Sequence, residues 1–545
     1  MAELLIISSL MMLLALVLYL CIGWPILSTL ELPSIAANLH NLHDHLAGVL
    51  AASGHTVMAR GTAATSSIRF FITCDPENVR HIFTSNHGNY PKGHEFAEIF
   101  DIMAGVSFTL DGEPYLRLRA KMLSILGDPR LVASMAASCL DKVRDGVLPF
   151  LARVATAGAP FDMQDLTGRL MFDVTSMAVF GVHPGYLSPG PDMPPAHAAA
   201  AMDTVMEVGL IRHGVPASWW KSMRRLNIGP ERRLAAAHRV LHGFVGEMMG
   251  TRTKATQSPH RDADADADSV DIISSHINDP EYNGAALLQT TAIAYMVAGR
   301  DTIGTTLPWF FYNLAVNPRV VSGIREELKP IAASRRAASP SPSPSNGDRT
   351  TTVMFSPEDT KPLVYLQAAL FETLRLYPPG HMERKTAVAD DVMPSGHEVR
   401  AGDAVLISLY SMGRMENLWG KDCREYRPER WLTGGDGGGS GGAQLRHVPS
   451  HKFLAFNSGA RMCPGKSIAV MLMKTIAAAV VWNFDVEMVE GQAVEPKMSC
   501  LFQMKNGLML KVKKRQIRRK ALACTYTHLV SIVRFVQVIY ITYKE

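Results

Sequence analysis

Apolar positions fall into distinct regimes along the chain. From Leu4 to Trp24 every residue is apolar or small, and Ser8 and Ser9 are the only polar ones. About 20 such residues cross a bilayer as a helix. This length, with no basic segment ahead of it, favours an uncleaved anchor over 1–24 rather than a cleaved signal peptide. Residues 34–53 carry an amphipathic helical pattern, and 67–73 read as a strand. Helical periodicity then dominates from 114 to 330, and strand-like pieces return near 396–409 and 506–512. Residues 251–270, 335–352 and 433–443 are acidic, Ser/Pro-rich and Gly-rich in turn. None of the three can build a core, and each is expected to be a loop. Residues 513–520 are basic and 521–543 apolar with aromatics, an atypical tail over 516–545 that either meets anionic lipid or has no role.

Composition narrows the class. Of 545 residues 47% are hydrophobic and 19% charged, which excludes a chain disordered throughout. The net charge of +5 is too mild to argue for nucleic acid. Seven scattered cysteines form neither a disulfide framework nor a metal-site pair, as suits a reducing compartment.

One of those cysteines stands in a special context, Phe456-Asn457-Ser458-Gly459-Ala460-Arg461-Met462-Cys463-Pro464-Gly465, followed by an apolar helix from about Lys466 to Val481. Gly459 and Gly465 are expected to take backbone angles that other residues resist, and Pro464 suits a first helical position. A sulfur at a helix N-terminus meets free N–H groups that favour the thiolate, the form that binds iron. Arg461 adds a positive charge suited to a buried anion, and Phe456 can shield the sulfur.

The ten-residue loop resembles the haem-binding loop of the cytochrome P450 superfamily, and the resemblance extends over about residues 24–515. It implies a mainly α fold with small β-sheets (α+β) over 25–515 behind an N-terminal transmembrane helix. It also implies haem as cofactor with Cys463 as axial ligand, and Gly459, Gly465, Phe456 and Arg461 around it. Tyr115-x-x-x-Arg119 stands where the superfamily has Trp-x-x-x-Arg, so Tyr115 and Arg119 are candidate propionate partners, with Lys385. Glu372-x-x-Arg375 and Arg430 match the network that braces the loop. Ala298-Gly299-Arg300-Asp301-Thr302 matches the oxygen-activating helix, roughly Ala285 to Ala315, and assigns proton delivery to Asp301 and Thr302. Small residues at 298 and 299 are expected to let something large approach, and Pro308 to kink this helix, since it cannot donate to the Gly304 carbonyl.

Asn89-Tyr90-Pro91-Lys92-Gly93, Tyr410-Ser411-Met412-Gly413-Arg414-Met415 and Pro449–Phe456 are similar to plant fatty-acid and alkane hydroxylases. That similarity implies a long acyl or alkyl substrate in a pocket including Phe96, Phe100, Phe108, Ala298, Met382 and Leu501. Phenolic alkaloids are the alternative substrate class. The expected setting is the endoplasmic reticulum membrane with the catalytic domain in the cytosol. Dioxygen is the oxidant. Electrons come from NADPH through a flavoprotein reductase, docking on Lys452, Arg461, Lys466 and Arg117. A haem-thiolate enzyme without a reductase and a non-catalytic haem protein are the competing readings; the intact Asp301-Thr302 pair argues against the first.

Overall fold

The computed structural model describes residues 38, 41–60, 69–190, 193–256, 270–338, 352–434 and 443–515. The expected anchor over 1–24 and the tail over 516–545 lie outside the described residues. In chain order the elements that position the site begin with helix α1 (Leu42–Ala52) and strands β1 (Thr56–Arg60) and β2 (Arg69–Thr73). Helix α2 (Gly112–Leu126), strand β3 (Phe161–Asp162) and helices α3 (Met163–Phe180) and α4 (His197–Gly214) follow. Helix α5 runs from Ala285 to Val316, with a π-helical turn over Val297–Asp301. Then come α6 (Val364–Leu376), β4 (Met382–Thr386), β5 (Ala404–Ser408), α7 (Lys466–Asn483), β6 (Phe484–Met488) and β7 (Met509–Lys514).

The mainly α reading with small sheets holds. One sheet has the order β1-β2-β5-β4, with β2 and β5 parallel and the other pairs antiparallel; the second has the antiparallel order β6-β7-β3. A large apolar core fills the helical part around Leu170, Phe172, Leu307, Phe310 and Ile476. A smaller one, around Leu50, Phe71, Val405 and Ile407, joins α1 to the first sheet. Helix α5 packs against α3, α6 and α7. Helix α7 is the one described helix long and apolar enough to cross a membrane; 72% of it is buried, which makes it a core helix here.

Local chemistry sets the ends. Asp162 caps α3 by accepting from the Gln164 N–H at 2.8 Å, and Gly181 closes it at φ 69°. Two expected loops begin later than the composition indicates. Helix 229–256 runs six residues into the first, where Arg252 pairs with Asp271, and helix 318–338 runs into the second, where Arg335 reaches Asp359. Charged partners beyond the sequence window hold these last turns. Helix α1 begins at Leu42, later than the pattern from 34, most of whose earlier residues lie outside the described ones.

Candidate active site

The cysteine loop is shaped by its own backbone. The Cys463 N–H donates to the Phe456 carbonyl at 2.7 Å, closing the loop. Asn457 takes φ 61° and ψ −175°, a region nearly confined to glycine, and its Oδ1 accepts from the next N–H at 2.8 Å. Gly459 has φ 56°, and a Cβ there would stand 2.1 Å from the Phe83 carbonyl oxygen, so only glycine fits. Gly465 differs from the expectation. Its φ is −91°, open to any residue, and nothing lies within 4 Å of where a Cβ would be. Pro464 also falls short of the helix, since α7 begins at Lys466 and Pro464 occupies the preceding turn.

Cys463 is half-buried at this helix entrance. Burial pushes its thiol up, and the Gly465 N–H, Arg119 and Lys466 pull it back only in part. The expected lowering by the helix N-terminus is therefore outweighed by desolvation. A bound metal ion's own charge is what holds a thiolate in such a place.

Cations gather beside the sulfur. Arg119 donates to the Met462 carbonyl at 2.8 Å and to the Tyr115 hydroxyl at 3.1 Å. Tyr115 gives its proton to the Ala460 carbonyl at 2.7 Å, so its contribution is less an anion contact than a ring face 3.5 Å from the Arg461 guanidinium. Arg461 holds the Leu110 carbonyl and Asp111. With a side chain only 13% exposed, it is withdrawn from the docking face expected of it. Lys385 lies 3.4 Å and Lys92 3.9 Å from Glu383. Burial lowers both ammoniums, Lys92 to about 8. Lys92, Lys385 and Arg461 thus face two carboxylates, Glu383 and Asp111, while Arg119 acts on the thiol. The cluster is short of anions, and a soft thiol borders it. This donor set fits a haem with its two propionates.

Glu372, Arg375 and Arg430 form one hydrogen-bonded network. Both Glu372 oxygens accept from Arg375 at 2.8 Å. Oε1 also accepts from the Arg427 N–H at 2.9 Å and Arg430 at 3.0 Å, and Oε2 from Trp431 at 2.9 Å. Arg375 donates onward to the carbonyls of Gly413, Cys423 and Glu425. From Trp431 aromatic contacts continue to Phe453 at 4.6 Å and from there to Phe456 at 6.5 Å, the residue that closes the cysteine loop.

On α5, Ala298 is exposed although its helix is otherwise largely buried, and Thr302 beside it is half-buried. The Thr302 hydroxyl donates to the Ala298 carbonyl at 2.8 Å. Gly299 does not share this opening. A Cβ on it would meet Thr175 Cγ2 at 2.6 Å, so its smallness serves the crossing with α3. Asp301 points elsewhere, bonded at 2.6 Å to Arg300. Burial pushes its carboxyl up to about 6, against the pull of Arg300. The helix continues through Pro308, and its departure from α geometry is the upstream π-turn. Such turns recur at functional sites.

Of the expected pocket residues, Phe96, Phe100 and Phe108 form one cluster with centroids 5.0–5.3 Å apart. Lys92 lies over the rings of Phe96 and Phe108. Leu501 pairs through its backbone with Gly380. Met382 packs on the smaller core around the first sheet. Sequence reasoning missed Lys92, Glu383 and Asp203. A lysine between apolar residues was the one available sign of the first.

A sequence model of the cytochrome P450 family matches residues 62–518. The chain belongs to that family of haem-thiolate monooxygenases, which use dioxygen, a small-molecule substrate and a redox partner. Among individual proteins, it is similar to noroxomaritidine synthase 2 of Narcissus aff. pseudonarcissus MK-2014, 35% identical over 497 residues and 91% of each chain. It is also similar to two proteins of Arabidopsis thaliana. Alkane hydroxylase MAH1 is 33% identical across 90% of this chain and 93% of its own. Cytochrome P450 86B1 is 35% identical across 91% and 86%.

Proposed function

We propose that Cys463 is the axial ligand of the haem iron in an enzyme that hydroxylates long-chain fatty acids or alkanes, with electrons from NADPH through a flavoprotein reductase. The observation that supports the reading is the loop thiol with Arg119 acting on it, together with the anion-poor group of Lys92, Lys385 and the loop's own Arg461. When bound, the haem supplies oxygen activation, which an axial thiolate favours. The chain's residues do the rest. The four cations hold the propionates, with Tyr115 fixing Arg461 from below. Phe456 and Gly459 shape the loop, and Gly465 contributes an N–H to the sulfur. Glu372, Arg375 and Arg430 keep the loop in place. Phe96, Phe100, Phe108 and Ala298, with Leu501, exclude water and orient an apolar chain. Thr302, at the opening beside Ala298, and the buried Asp301 would hold and release the protons that the reaction consumes.

Similarity to alkane hydroxylase MAH1 supports the substrate class. Similarity to a noroxomaritidine synthase favours a second reading, a phenolic alkaloid as substrate. Residues 1–24 anchor the enzyme in the endoplasmic reticulum membrane, and exposed Arg117 and Lys466 with Lys452 meet the reductase.

The test is a carbon-monoxide difference spectrum of the reduced protein. The wild type gives the thiolate-type band and Cys463→Ala abolishes it; a wild type without that band ends the proposal. Product formed from a fatty acid, an alkane or a phenolic substrate then decides between the two readings.

A further inference from the structure

Arg300 stands between two carboxylates. One nitrogen, Nη1, donates to Asp301 Oδ1 at 2.6 Å and to Asp203 Oδ1 at 2.7 Å. Asp203 lies on α4, whose Gly209 sits against Phe100. Asp203 also accepts from Gln503 Nε2 at 3.0 Å. The other Asp301 oxygen, Oδ2, is buried with no partner among the described residues, as are Arg300 Nε and the hydroxyls of Thr175 and Thr305. One guanidinium therefore serves two acids, and the three groups carry a net negative charge unless one acid holds a proton.

The other groups facing this cluster are few. Lys497 acts on Asp203, but its ammonium is 2.6 Å from Glu207. Helix α3 presents Gly168 to Arg300 and Thr175 to Gly299, and neither titrates.

We propose that Asp203 is a positioning residue for proton delivery: by sharing Arg300, it leaves Asp301 able to take up and release a proton, and it ties that ability to the place of α4. This rests on the reading of Asp301 as a proton carrier. The electrostatics agree on which acid takes up a proton first as pH falls. Burial pushes Asp203 up, but Arg300, Gln503 and Lys497 together hold it below the usual carboxylate range. Asp301 has only the shared guanidinium, and the nearby Asp203 charge raises it further. Replacing Asp203 by a neutral residue gives Arg300 wholly to Asp301, which then loses its proton at lower pH.

The test uses the full-length, haem-loaded protein. Its first arm is an infrared pH titration of the Asp301 carboxyl, assigned by the band that Asp301→Asn removes. Asp203→Asn lowers the half-point by about one pH unit, roughly tenfold in proton affinity. Asp203→Glu restores it, and Asp203→Ser serves if the asparagine variant does not retain haem. A half-point that stays in place in the neutral variants overturns the proposal. The second arm is product formed per NADPH consumed against pH, whose fall-off moves down with the titration. If the carboxyl titration moves and this profile does not, control by Asp203 stands and the proton-carrier reading of Asp301 fails.

Discussion

Glu372 and Asp301 are both sealed from solvent on helices, and each pairs with an arginine of its own helix, yet their surroundings treat them in opposite ways. Glu372 accepts on both oxygens from three side chains and a backbone N–H. Asp301 has one arginine at one oxygen, shares it with Asp203 and leaves the other oxygen unmatched among the described residues. A buried carboxylate with a complete set of donors is held in one place by them. One that is short of donors can change protonation. The surroundings of Glu372 are therefore built to hold still, and those of Asp301 leave an acid short of partners.

The sharpest way to break this comparison is Glu372→Ala. It strands the Arg375 charge in the interior, and breaking such a buried pair costs about 3–5 kcal/mol. Chemical denaturation measures this, and haem content falls with it. Asp301→Asn removes an acid that was already poorly satisfied, so its stability change stays within about 1 kcal/mol. Its product per NADPH falls by about 10²-fold, the usual scale of a lost acid-base group. Equal stability losses at the two positions would erase the distinction.

The two loop glycines sharpen it next. Gly459→Ala forces a Cβ against the Phe83 carbonyl at positive φ, at a cost of about 1–3 kcal/mol. Gly465→Ala meets no atom and no forbidden angle, so the haem-free protein keeps its stability. Weaker haem retention in Gly465→Ala alone would mean that this glycine serves the cofactor rather than the fold.

Much of this site was legible because its parts are local. Glu372 and Arg375 are one helical turn apart, and the loop from Phe456 to Gly465 carries its own turn chemistry. The packing role of Gly299 was not legible, because it depends on Thr175, 124 residues earlier. The Asp203–Arg300–Asp301 cluster was hidden for the same reason: nothing near Asp203 in sequence marks it as a partner of α5. The thiol's upward shift was missed because helix-end electrostatics can be read from a motif, whereas the desolvation that outweighs them depends on everything packed around it.

The smallest predicted effect tests whether the unmatched oxygen at Asp301 reflects a generally loose helix. Pro308 has no N–H for the Gly304 carbonyl four residues before it. That carbonyl is nevertheless matched, by the Thr167 hydroxyl of α3 at 3.3 Å. The same hydroxyl lies 2.9 Å from the Met163 carbonyl and 3.3 Å from that of Gln164, so one proton is shared and the contact is weak. Thr167→Val should cost only about 0.5–1 kcal/mol. Pro308→Ala supplies the missing N–H within the helix, and Thr167→Val should then cost measurably less. Denaturation of the two single variants and the double variant gives the coupling directly. Strict additivity would mean that the threonine acts only through its own helix, and that α5 leaves the Gly304 carbonyl unmatched as well. Coupling would show that, three residues past the π-turn, α5 finds a donor for a carbonyl its sequence had stranded, so that its backbone is matched there even though the Asp301 oxygen is not.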